Sequence, residues 1–169
     1  MNILITGCAG FIGFHTSVKV LKKFNVIGLD SMNKYYDINL KRERLKILKK
    51  HKNFSFIKND LLNINFLNKL FKKYKFKYVI HLAAQPGVRY SLKHPETYLK
   101  NNIISYFNIM QTCKKFNIKH FIFASTSSVY GDSKSFPTSE KNSISKPLSF
   151  YAATKVSNEV MCYSYSNIF

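Results

Sequence analysis

The chain has 169 residues, with 27 Lys and Arg against 8 Asp and Glu, a formal net charge of +19, and 46% hydrophobic residues. That is one domain in length, enough for a single core, and its mixed composition excludes fibrous and low-complexity classes. Cys8, Cys113 and Cys162 are too scattered for a disulfide framework or a metal site, and no run approaches the roughly 18 apolar residues of a membrane span.

The first element is a short apolar run, Ile3-Leu4-Ile5, followed by Gly7, Gly10 and Gly13 and then a helix-like pattern. Such a run reads as a buried parallel strand that turns directly into a helix. Gly7 permits the tight turn, Gly10 lets backbone approach a pyrophosphate, and Gly13 lets the helix pack closely on the strand. The helix N-terminus, with its free N–H groups and positive dipole end, would then face phosphates. A helix is predicted over Phe11 to Phe24 and a second strand over Asn25 to Leu29. The latter ends in Asp30, placed where a carboxylate grips adenosine ribose hydroxyls.

A polar, Tyr-rich loop, Ser31 to Asp37, leads to a basic helix over Ile38 to Lys50 and a third strand over Phe54 to Lys58. Asn63 is placed to cap a helix running to about Tyr74. A fourth strand over Lys77 to Leu82 precedes a loop from Ala83 to Lys93. Pro95 suits the first position of a long helix reaching Phe116. The fifth strand spans Lys119 to Ala124. A loop containing Gly131 and Pro137 then leads to a last helix, about Ser149 to Asn167. Strands alternating with helices imply right-handed crossovers and a parallel sheet covered on both faces. Gly7, Asp30, Asp60, Ala83-Ala84 and Ser125-Thr126 all fall just after strands, the edge where such sheets bind ligands.

The lysines cluster at Lys41 to Lys52, Lys69 to Lys77 and Lys114 to Lys119, stretches predicted to be outward-facing helix. With no nucleic-acid-binding motif beside them, they read as a solvated basic surface rather than a nucleic-acid interface. No targeting segment is recognisable, because nothing basic precedes the short apolar run at the N-terminus. The expected location is the cytoplasm, where scattered thiols stay reduced.

Tyr151 and Lys155 form a Tyr-x-x-x-Lys pair at the start of the last helix, where residues four apart share a face. A free tyrosine, with a pKa near 10, is a poor base at neutral pH; a nearby ammonium favours the phenolate. Tyr130 and Lys134 repeat the spacing, but across the turn-like Gly131-Asp132-Ser133. Upstream, Ser125-Thr126-Ser127-Ser128 places four consecutive hydroxyls after the fifth strand.

These motifs together resemble the extended short-chain dehydrogenase/reductase family, and within it the nucleotide-sugar 4-epimerases. The residues that carry the likeness are Gly7/Gly10/Gly13, Asp60-Leu61, His81-Leu82-Ala83-Ala84, Ser125-Thr126 and Tyr151-x-x-x-Lys155, in the family's order across nearly the whole chain. The stretches Leu29 to Asp37, His81 to Ser91 and Ser127 to Gly131 are most similar to UDP-glucuronate 4-epimerases. Ser31 stands where an asparagine is usual and Pro86 where an alanine is.

The resemblance implies a Rossmann-type α/β fold: a doubly wound parallel sheet in three α/β/α layers, incomplete at its C-terminal side. It implies that residues 1–169 form the NAD-binding portion of a longer enzyme and are inactive alone. The implied cofactor is NAD, held by Gly7, Gly10, Phe11, Ile12, Gly13, Asp30, Asn33, Asp60, Leu61, Leu82, Ala83, Ala84, Asn102, Ser125, Tyr151 and Lys155. Asp60 and Leu61 would contact adenine. Tyr151 would be the catalytic base, aided by Thr126 and Lys155, with Gln85, Arg89, Thr126, Ser127, Ser128 and Tyr151 toward a UDP-sugar.

The implied reaction is C4 epimerisation through a 4-keto sugar, UDP-glucuronate to UDP-galacturonate. A 4,6-dehydratase is the enzymatic alternative, although Ser127-Ser128 replace the Asp-Glu usual there. A non-catalytic NAD-binding fragment is another alternative. The family also implies a homodimer through helices 95–116 and 149–167, with Ile103, Phe107, Met110 and Phe116 offering apolar surface. Neither nucleic acid nor membrane is an expected partner.

Overall fold

The computed structural model describes residues 1–133 and 137–169; Lys134, the lysine of the second Tyr-x-x-x-Lys match, lies outside them. The chain divides into two compact units, Met1–Ala83 with Asn108–Phe123, and Ala84–Phe107 with Ala124–Phe169.

The first unit holds the sheet. Its strands are β1 (Asn2–Thr6), β2 (Asn25–Asp30), β3 (Phe54–Lys58), β4 (Tyr78–His81) and β5 (His120–Phe123). All pair in parallel in the order β3-β2-β1-β4-β5. This is the doubly wound Rossmann arrangement that the alternation of apolar runs and helices predicts. In register Thr6 pairs with His81 and His81 with Phe123, so the carboxyl ends of β1, β4 and β5 finish level.

Helices α1 (Phe11–Val20), α2 (Ile38–Leu48) and α3 (Ile64–Tyr74) follow the first three strands. The twofold alternation of strand side chains divides the core. Leu4 joins a cluster with Leu67, Leu70, Phe71, Ile109 and Cys113, whereas Ile3 and Ile5 join one with Leu45, Leu48 and Phe54. Helices thus cover both sheet faces. Asp37 caps α2 through the Asn39 N–H and Asn63 caps α3 through the Phe66 N–H, the latter as the sequence predicts. The helix expected to run to Phe24 ends at Val20, and Leu21 to Phe24 form turns that bring the chain back to β2.

In the second unit, the stretch expected as a loop from Ala83 to Lys93 contains helix α4 (Val88–Lys93). Nothing in Val88-Arg89-Tyr90-Ser91-Leu92-Lys93 breaks a helix; Gly87 (φ 101°) admits it and Pro95 stops it two residues on. Pro95 begins α5 (Pro95–Tyr98), as predicted, but Leu99–Ile104 then winds as π-helix before α6 (Ser105–Lys115). Hydrophobic spacing carries no sign of that wide turn. Thr126 opens a 3₁₀ helix over Ser127–Tyr130, and α7 (Phe150–Ile168) is capped by the Ser149 hydroxyl on the Ala152 N–H. No described helix is long and apolar enough to cross a membrane.

Candidate active site

In the first unit the site begins at the turn after β1. Gly7 has φ 71°, and a Cβ there would lie 2.7 Å from the Ala83 nitrogen. A Cβ on Gly13 would lie 2.0 Å from the Gly7 carbonyl oxygen, so α1 packs on the turn as only glycine permits. Gly10 is different. Its nearest obstacle to a Cβ, the Gly7 carbonyl oxygen, is 3.1 Å away, and it caps α1 with no side chain on the first N–H groups. Phe11 and Ile12 are exposed. The arrangement is a helix N-terminus that bare backbone can present to an anion.

Thr6 ties this turn to the end of β4. Its hydroxyl accepts the Ala83 N–H at 3.2 Å and meets His81 Nδ1 at 2.8 Å. Leu82 and Ala83 are half-buried, each packed against one of the two core clusters.

Asp30, at the end of β2, is 5% exposed and held by its own chain. Oδ2 accepts the Ala9 N–H at 3.2 Å; Oδ1 accepts the Met32 N–H at 2.8 Å and the Lys41 ammonium at 3.4 Å. Lys41 also donates to Asn33 Oδ1 at 2.9 Å and lies 5.1 Å from the centre of the Tyr36 ring. Lys41 is therefore not part of an outward-facing basic stretch, as its neighbours in sequence suggest. It is 4% exposed and turned inward to Asp30. Nearby, Arg44 donates to the Ala9 carbonyl and the Tyr36 hydroxyl. Burial, chiefly, raises the Tyr36 pKa above its ordinary value. Asp60 is exposed and accepts the Leu62 N–H, whereas the Leu61 side chain is buried in the core, leaving only its backbone for a ligand.

In the second unit, Asn102 is buried on the π-helical turn and fully engaged. Its Oδ1 accepts the Gln85 N–H at 2.7 Å, and its amide donates to the Gln85 carbonyl at 3.1 Å and the Thr154 hydroxyl at 3.2 Å. Its side chain thus holds the chain at Gln85 to α7. Gln85 itself is buried and Arg89 exposed. The Tyr98 hydroxyl reaches the carbonyls of Pro86 (2.7 Å) and Gly87, and its ring meets the Tyr151 ring edge-on at 6.0 Å.

Lys155, one turn beyond Tyr151, donates to the Ala124 carbonyl at 2.9 Å. Burial lowers its pKa from 10.5 to about 8. Tyr151 precedes it by four residues on α7, the spacing at which two side chains share a helix face. Ser125, Thr126, Ser127 and Tyr130 line a cavity of about 320 Å³ together with Thr138, Glu140 and Glu159. Thr126 Oγ accepts the Ser128 N–H and donates to its hydroxyl, each at 3.3 Å, and Ser125 donates to Glu159. Among the described residues no cluster of His, Cys, Asp or Glu could hold a metal ion.

Lys41, Tyr98, Thr154 and Glu159 are absent from the sequence-predicted site. Glu159 alone has a sequence signal, lying two helical turns after Tyr151 on its face. Of the apolar residues expected on a dimer face, Met110 is buried and Phe116 packs on the core of the first unit, so neither is free for an interface; Phe107 is exposed.

A doubly wound sheet, a glycine turn into a helix and a Tyr-x-x-x-Lys pair define a dinucleotide-dependent class of α/β enzymes. Residues 4–169 match the family model described as GDP-mannose 4,6 dehydratase, and the chain belongs to this family of extended short-chain dehydrogenase/reductases. It is 49% identical to protein CapI of Staphylococcus aureus, across the whole of this chain and 51% of that protein. It is 41% identical to UDP-glucuronate 4-epimerase 4 of Arabidopsis thaliana, across the whole chain and 39% of that protein. The crystal structure of UDP-glucuronic acid 4-epimerase from Bacillus cereus, in complex with UDP-glucuronic acid and NAD, superposes with a TM-score of 0.92 at 40% identity. It is covered over 53% of its length by the whole of this chain. The chain thus spans about half the length, or less, of these relatives.

Proposed function

We propose that this chain is the NAD-binding portion of an epimerase that inverts C4 of a UDP-sugar, converting UDP-glucuronate to UDP-galacturonate. The observation that carries the reading is Lys155, buried on the Ala124 carbonyl one helical turn from Tyr151, with a pKa near 8. The likeness to UDP-glucuronate 4-epimerases supports the substrate.

The first unit fits a dinucleotide on structural grounds. Gly10 leaves the N-terminus of α1 bare, Gly7 and Gly13 hold a turn that a Cβ would fill, and Asp30 keeps one acceptor site on Oδ2 for a ribose hydroxyl. When bound, NAD supplies the hydride acceptor and donor that the polypeptide lacks.

Tyr151, as phenolate, would take the proton from the sugar O4 and return one when the alcohol re-forms. Lys155, one turn on, would hold the nicotinamide ribose. Thr126 would donate its hydroxyl to the sugar, and Ser127, Ser128, Gln85 and Arg89 would orient the glucuronate and diphosphate. In a 4,6-dehydratase an added acid and base would be needed beside Thr126, and Ser127 and Ser128 supply neither, so epimerisation is the better-supported reading.

The test is NMR of UDP-glucuronate incubated with the protein at its natural length. Interconversion with UDP-galacturonate is expected, with a loss of about 10²-fold or more in Tyr151→Phe while NAD still binds. Near-normal turnover in that variant, or action on UDP-glucose alone, would overturn the assignment. We also infer a homodimer, supported by the exposed Ile104 and Phe107 and, on α7, Val160 and Tyr163. Sedimentation as a monomer at micromolar concentration would refute it.

A further inference from the structure

Lys41 is the one lysine of its helix that turns inward, and its surroundings give it a purpose distinct from solubility. Its ammonium has three N–H groups. One reaches Asp30 and another Asn33, and the head group lies against the Tyr36 ring. Burying a lysine is costly unless an anion faces it. Here that anion is Asp30, the carboxylate at the end of β2, where the ribose of a bound dinucleotide would lie. A lone aspartate at this place repels a 2′-phosphate. The Asp30 here is half-committed: Oδ1 already carries the Met32 N–H and the Lys41 ammonium, and only Oδ2 has room beyond the Ala9 N–H. Arg44, held by the Ala9 carbonyl and the Tyr36 hydroxyl, adds a second cation to the same loop. The corner therefore carries two positive charges and one negative.

Resting on the dinucleotide reading above, we propose that Lys41 is a specificity-determining residue: paired with Asp30, it offsets the carboxylate's repulsion of a 2′-phosphate and so narrows the preference for NAD over NADP. Two charges a few ångströms apart interact strongly in a site closed to water. Removing the ammonium strips Asp30 of its direct partner and leaves only the more distant Arg44 to offset it beside any 2′-phosphate, while the ribose hydroxyls of NAD carry no charge to be repelled. The effect therefore falls on the ratio of the two affinities.

The test is calorimetric titration of NAD and NADP into the protein at its natural length, for the wild type, Lys41→Met and Lys41→Arg. Lys41→Met should widen the ratio Kd(NADP)/Kd(NAD) by about tenfold or more, while Lys41→Arg, which keeps the charge, should hold it near the wild-type value. A purely structural role for Lys41 would weaken both cofactors together and leave the ratio unchanged, and that result would overturn the proposal. If Lys41→Met does not fold, Lys41→Gln is read by the same ratio. In the wild type, added salt should weaken NADP more than NAD; equal weakening counts against the proposal. Should the wild type bind neither dinucleotide, the dinucleotide reading itself falls, and this assignment with it.

Discussion

The ammonium of Lys155 donates to the main-chain carbonyl of Ala124 at 2.9 Å, at a depth where burial pulls its pKa down to about 8. The same side chain in the unfolded protein titrates near 10.5. Between those values the unfolded chain holds the extra proton, so stability gained through this group rises as pH climbs from 8 to 10.5. Below pH 8 the buried charge costs the fold about 3 kcal/mol.

Lys155→Met should therefore be more stable than the wild type near pH 7, with the gap closing by pH 10.5. Urea denaturation of both proteins across that range measures it. A gap independent of pH would show that Lys155 folds as readily charged as neutral.

The two glycines that flank the Gly7 carbonyl should separate folding from binding. Gly13→Ala pushes a methyl into backbone at 2.0 Å and should destabilise by about 3 kcal/mol or more. Gly10→Ala meets the Gly7 oxygen at 3.1 Å, a tight contact that a shift of a few tenths of an ångström relieves, so it should cost far less stability than Gly13→Ala while losing much of its NAD affinity. Thermal melts paired with calorimetric titration check both. Equal stability losses would mean that the open face at Gly10 is not kept for a ligand.

How far the site could be read in advance is shown by Asp30 and Lys41. Asp30 was legible because a carboxylate ending a buried apolar strand has few other reasons to be there. Lys41 was not. It sits in a run of Lys, Arg and Glu whose polarity reads as solvent-facing, and only the approach of α2 to the end of β2 gives it a buried partner. The five strands were legible because each is a short apolar run bounded by polar or turn residues. Tyr98, and the tether that Asn102 makes to Gln85 and Thr154, were opaque for another reason: the hydrogen-bond partners lie 11 to 52 residues away, and no local periodicity encodes such pairings.

Tyr98→Phe removes the hydroxyl that reaches the Pro86 and Gly87 carbonyls but keeps the ring against Tyr151. Both carbonyls keep a second donor, the Gln85 amide on Pro86 and the Ser91 N–H on Gly87, so we expect a loss of about 0.5–1.5 kcal/mol in urea denaturation, the net worth of an ordinary hydrogen bond. Faster amide exchange confined to residues near Gly87 should accompany it. A variant as stable and as protected as wild type would show that the loop does not need this tether.

Ser127 and Ser128 are proposed to receive the glucuronate carboxylate, since their hydroxyls donate without adding negative charge. Replacing both by Ala should raise KM for UDP-glucuronate several-fold more than for UDP-glucose. Parallel changes in the two would assign the serines to the fold of the 3₁₀ turn alone.

The π-helical stretch Leu99–Ile104 holds a lesson for anyone editing this chain. A wide turn is what an α-helix becomes when it accommodates one surplus residue. Excising one residue there would let the helix close into regular winding with the turns on either side still in register, but the residues of the bulge itself would be re-aimed, since each advances the winding by about 100°. Asn102 would swing away from Gln85 and Thr154. Scanning by deletion should therefore find this stretch intolerant although it has better helical winding to gain, and a design procedure that rewards ideal helices would shorten it first.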